Sequence, residues 1–198
     1  MRRYGRCLTV SILVALMFCI AGCDLFTPPK KTVESFMAAV EKGDFTTAGQ
    51  FVVPNENLKS TIDKTNDPES EKIFKAVFTK VSHTIVSTST SGETAQVTTS
   101  ITSPDLLRIT TSVMSQMMPL AVASAFSENS NQDDINQLME QYLMNAIITD
   151  PNAPMTTSEV VINLTKQDGK WLIVADDNLT NALTGNINKL SALGKESK

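Results

Sequence analysis

Thiols are nearly absent from this chain, and the three present crowd one end: Cys7, Cys19 and Cys23, with none beyond. A body without cysteine closes no internal disulfide, builds no thiolate metal site and offers no cysteine nucleophile. Histidine is reduced to His83 and tryptophan to Trp171, while tyrosine occurs only at Tyr4 and Tyr142. No glycine-rich phosphate loop, nucleophile-elbow serine or spaced set of metal ligands occurs. Basic residues are outnumbered, 17 against 21 acidic. This balance argues against nucleic acid, whose phosphates are held by clustered lysine and arginine. No cofactor or metal is expected, and an enzyme is not the favoured reading.

What is present begins at the N-terminus. Arg2, Arg3 and Arg6 open the chain without an acidic residue, and Leu8 to Ile20 follow as an apolar run broken only by Thr9 and Ser11. A positive start and a short apolar run have the layout of a secretory signal, and the run is short for a membrane-spanning helix. An uncleaved membrane anchor is the competing reading, and it leaves the rest of the chain on the same side.

The run ends in Ile20-Ala21-Gly22-Cys23. This string resembles the bacterial lipobox: an aliphatic residue, two small residues and an obligatory cysteine. The resemblance implies that Ile20, Ala21 and Gly22 are read by the signal peptidase. It also implies that Cys23 becomes the lipidated N-terminus through a thioether, with a further acyl chain on its freed amine. More than one chain matters, since a single one gives only marginal, reversible binding at ~0.8 kcal/mol per buried methylene. The membrane would then be contacted through acyl chains on Cys23. Asp24 resembles the inner-membrane retention signal of enterobacterial lipoproteins. The expected location is the extracytoplasmic face of the bacterial cytoplasmic membrane.

Removing residues 1–22 leaves 176 residues with 14 basic against 21 acidic, a net charge of −7. That length suits one domain, burying roughly 70% of its unfolded surface. Such acidity disfavours docking on anionic lipid heads and leaves the anchor to hold the protein. Residues 23–29 read as lipidated N-terminus and tether, 30–192 as the domain, and 193–198 as a polar tail. The segment "DLFTPP" spans at most ~20 Å, keeping the domain close to the bilayer.

Helical spacing marks Val33, Phe36, Met37 and Val40 on one face of a first helix, stopped at Gly43. Asp44 caps a short second helix carrying Ala48 and Phe51. Residues 54–68 read as a loop. A third helix, about 69–80, places Ile73, Phe74, Val77 and Phe78 on its buried side. "KVSHTIVSTST" and "TAQVTTSIT" alternate as two strands joined at Ser91-Gly92-Glu93. Two helices follow within a block at about 104–149, the first expected to kink or split at Pro119. A second hairpin, "SEVVINLTKQDGKWLIVADD", turns at Asp168-Gly169, and a short helix starts near Asn178.

The helix pair "VESFMAAVEKGDFTTAGQFV" and the terminal "DGKWLIV" resemble the nuclear transport factor 2-like superfamily. The resemblance implies an α+β fold in which N-terminal helices pack on a curved antiparallel sheet of two hairpins. The helical insertion between the hairpins departs from that pattern and resembles the uncharacterised lipoproteins of Gram-positive bacteria that carry such a domain. The resemblance further implies a pocket between sheet and helices, with Phe74, Phe78, His83, Val97 and Trp171 as candidate lining residues. The same fold serves enzymes, ligand binders and interaction modules.

Local chemistry does not single out an active centre. His83 alternates with Val81 and Ile85, and no motif pairs it with a carboxylate, which leaves it structural or, as the sharper alternative, a general base. The acidic pairs Asp133-Asp134 and Asp176-Asp177 stand at helix starts, where the helix dipole accounts for them. Met114, Met117 and Met118 share a helix face, with Met139 and Met144 on the next helix. Core filling is the plain reading, an adaptable groove the second, and copper(I) binding the third. The favoured function is a lipid-anchored, non-catalytic binding or interaction domain at the cell envelope, engaging an envelope protein. The alternative is a binder of a small apolar ligand or lipid in the cone.

Overall fold

The computed structural model describes residues 27–54, 68–126 and 132–189. The signal, lipobox and tether through residue 26 lie outside the described residues, as do most of the 54–68 loop and the polar tail. Among the described residues, the chain forms an α+β fold with one four-stranded antiparallel sheet. In chain order the elements are α1 (Pro29–Glu41), α2 (Phe45–Gly49), α3 (Pro68–Phe78), β1 (Ser82–Ser91), β2 (Thr94–Pro104) and α4 (Leu106–Ala125). Then follow α5 (Gln132–Met144), a π-helical turn (Asn145–Thr149), β3 (Met155–Gln167), β4 (Lys170–Val174) and α6 (Asp177–Leu183).

The strands lie in chain order, β1-β2-β3-β4. The two hairpins are joined through the central β2–β3 pair, in register from Thr94↔Thr165 to Pro104↔Met155. The helical block is inserted between these two strands, as the sequence indicated. The β3–β4 turn is the expected one: Asp168 and Gly169 take φ of 49° and 80°, the two positive values of a type I′ turn. A bulge at Val86 interrupts β1 between Ile85 and Ser87, adding local twist to the edge strand.

Alternation decides the faces. Val97 and Ile101 on β2, Ile162 and Leu164 on β3, and Ile173 on β4 are all at most 2% exposed. Val33, Phe36, Met37 and Val40 of α1 complete one core with them. The α1 assignment therefore holds residue by residue. At the end of α6, Ser103 Oγ donates to the Ala182 carbonyl at 2.8 Å, satisfying a buried acceptor and tying β2 to that helix. Asp44 caps α2 by accepting from the Thr47 amide at 2.9 Å. That hydrogen bond holds its carboxyl below the usual carboxylate range.

The inserted block packs with α3 around a separate small core: Val77 of α3, Ile109 of α4 and Ile147 of the π-turn, flanked by Ile73 and Leu143. Three expectations are corrected here. The helix does not split at Pro119: α4 is unbroken over 20 residues. Pro119 is exposed, so water can satisfy the Ser115 carbonyl that loses its donor. Phe74 is not on the buried side of α3 but 39% exposed, stacked on Phe78 at 6.3 Å between ring centroids. Of the clustered methionines, Met117 is core at 4% exposure, whereas Met114, Met118 and Met139 are exposed. The last buried residue of α4 among those described is Met117; beyond it the helix outruns the surface it packs against.

Candidate functional site

The side chain with the greatest chemical versatility is His83, and the fold supplies the partner its sequence neighbourhood lacks. Glu41 is the last residue of α1, and α1 crosses the sheet so that this end meets β1. His83 Nδ1 lies 2.6 Å from Glu41 Oε1, with the two side chains 17% and 30% exposed. The absence of a paired carboxylate is thus corrected: the pair spans 42 positions, beyond the reach of any local motif. In the neutral imidazole, a carboxylate accepting from Nδ1–H leaves Nε2 as an acceptor.

A positioned imidazole is half of an acid–base site, and the residues two positions to either side of it are apolar. Val81, buried, stands directly before β1, and Ile85, half-buried, lies on β1. Among the described residues no group of three His, Cys, Asp or Glu side chains is placed to hold a metal ion. The geometry favours a clasp between α1 and the edge strand. If so, the double-mutant cycle Glu41→Ala and His83→Ala should give a coupling of about 1 kcal/mol at neutral pH. Urea denaturation of the four proteins measures it, and strictly additive losses would contradict the clasp.

The residues named for a cone pocket are gathered only in part. Phe78, Val97 and Trp171 pack on the main core, with Val97 fully buried. Phe78 meets Phe45 edge to face at 5.1 Å, and Lys166 Nζ stands 5.9 Å from the Trp171 ring centroid. Phe74 lies at the margin, and His83 faces Glu41. The side chains of α1 occupy the inner side of the sheet between them. Among the described residues, surface concavities lie elsewhere. One borders α5 at Gln137, Glu140, Gln141 and Met144. Another lies around Gln96 and Asn163, whose side chains are joined by an Nε2–H···Oδ1 bond of 3.1 Å. Sequence reasoning passed over both amides, although the period-2 pattern of "TAQVTTSIT" already sets Gln96 opposite the core-facing Val97.

Ile20, Ala21, Gly22 and Cys23 lie outside the described residues. No helix among the described residues is long and apolar enough to cross a membrane.

No protein-family model matches the chain, and no curated protein does so. Among solved structures, the chain is similar to a Campylobacter jejuni protein that carries the provisional description NTF2-like transpeptidase. The TM-score is 0.36 at 12% identity, over 76% of this chain and 100% of that one.

Proposed function

We propose that this chain is a bacterial lipoprotein, acylated at Cys23, that displays a non-catalytic binding domain of the nuclear-transport-factor-2-like type. Its place would be the extracytoplasmic face of the cytoplasmic membrane. The observation that carries this reading is the order of residues at the start: three arginines, an apolar run, then Ile20-Ala21-Gly22-Cys23 with no later cysteine. A binding rather than a catalytic role is supported by the His83–Glu41 pair, which has apolar residues two positions to either side of His83 and spans two structural elements as a clasp would. The helix pair followed by two hairpins supports the choice of fold type.

The anchor is the part that can be tested most directly. Thioether formation needs a thiol, so Cys23→Ser should abolish incorporation of a clickable fatty acid in growing cells and leave precursor of unprocessed length. Label retained on the serine variant would sink the lipoprotein reading, whatever the domain binds.

A further inference from the structure

The outer face of the sheet, opposite the core, carries a chemistry unlike the rest of this acidic chain. The β register assembles it row by row. Ser89, Gln96, Asn163 and Val174 form one row across all four strands. Ser91, Thr94, Thr165 and the half-buried Leu172 form the next. Apart from Leu172, these two rows line the concavity noted above. Neither contains an ionisable side chain, although the chain as a whole carries 21 acidic and 17 basic residues. Along the whole face, the strand positions that share it contribute only Glu159 and Lys170 as charged groups. Interspersed with the hydroxyls and amides are exposed apolar side chains, Val161 and Val174, each 43% exposed, and Met155 at 40%.

We infer that this trough binds an uncharged glycan. The argument is one of complementarity. A neutral sugar chain offers many hydroxyls and no charge, and each ring also has a C–H face. The trough presents hydroxyl and carboxamide groups for the former and valine methyl groups for the latter. An anionic ligand would find no lysine or arginine in either row, and an apolar ligand would strip water from a dense set of polar groups without replacing it. The Gln96–Asn163 bond leaves Gln96 Oε1 as an acceptor and the Asn163 amide as a donor, both aligned by the bond itself. Prior alignment lowers the ordering cost of binding. The inference deepens the binding reading given above by naming a ligand class. Its readout is independent of the anchor, since glycan retention and fatty-acid labelling are measured separately.

The test uses the full chain purified in mild detergent and incubated with insoluble chitin, cellulose and curdlan, with retention measured after washing. Retention on at least one of these is expected, displaced by the matching soluble oligosaccharide and unchanged between 50 mM and about 500 mM salt, because no ion pairs contribute. Gln96→Ala combined with Asn163→Ala should weaken it at least tenfold while leaving the circular dichroism spectrum and melting temperature close to wild type. Should that double variant fail to fold, Thr165→Lys is the second probe; a bulky charge in the trough should weaken retention similarly. No retention on any of the three polymers overturns the inference. So does retention that persists in the folded variants, and so does retention lost at high salt, which would point to a charged ligand elsewhere.

Discussion

Gly185→Ala should cost the protein more than about 3 kcal/mol of stability, one of the two largest losses expected from a single substitution in this chain. Two independent effects converge there. Gly185 sits at φ +56°, a left-handed conformation that costs an L-residue roughly 1–2 kcal/mol. A Cβ at this position would also lie 2.1 Å from the Pro104 carbonyl oxygen and 2.6 Å from Asp105 Cα. Those are backbone atoms and cannot rotate aside. They belong to the junction where β2 ends and α4 begins, and the Gly185 carbonyl accepts from the Leu107 amide at 3.4 Å. An added methyl group therefore pushes the segment after α6 off the start of the inserted helix. Urea titration of wild type and variant measures the loss, and a change under about 1 kcal/mol would show that this contact does not hold the two segments together.

Ile173→Ala should cost about 3–4 kcal/mol, while Val174→Ala, one residue away, should cost less than about 0.5 kcal/mol. The contrast follows from the two faces of β4. Ile173 is fully buried and Val174 is 43% exposed, so only the first substitution opens a cavity in the main core. Ile173 also sits where the chain closes on itself. Its amide donates to the Phe51 carbonyl at 2.8 Å, and its carbonyl accepts from the Val53 amide at 2.9 Å, binding the segment after α2 alongside β4. The backbone links survive substitution, so the loss reports side-chain packing. Equal losses at the two positions in the same urea assay would mean that the inside and outside of the sheet are assigned wrongly.

Much of this arrangement could be read from residue order alone, because it is set by local rules. Alternation in β2 and β3 identifies the buried row Val97, Ile101, Ile162 and Leu164. The Asp168-Gly169 pair is among the few dipeptides that accept two positive φ values in succession. Asp44 has the right side chain in the right place for a cap. The features that escaped are those fixed by where two elements end relative to each other. Glu41 reaches His83 only because α1 terminates beside β1. Phe74 has the spacing of a buried residue, but α3 shows that turn to solvent. The expected kink or split at Pro119 follows from the hydrogen bond that a proline removes, and on an exposed helix side water can take the place of that donor. For the candidate sites the division is sharper still. The lipobox is contiguous and legible, whereas the Gln96–Asn163 pairing joins residues 67 positions apart and becomes visible only once the sheet is in register.

The uneven exposure of the methionines has a redox consequence. A peroxide approaching from solvent meets Met118 at 61% exposure and Met114 at 50%, while Met117 between them is 4% exposed and Met37 is fully buried. Conversion to the sulfoxide makes a thioether polar and, in a core, breaks packing. On the outer side of α4 the same conversion adds polarity where water already lies. Those side chains can therefore take up oxidising equivalents ahead of the core, and reductases could restore them without the domain having to unfold.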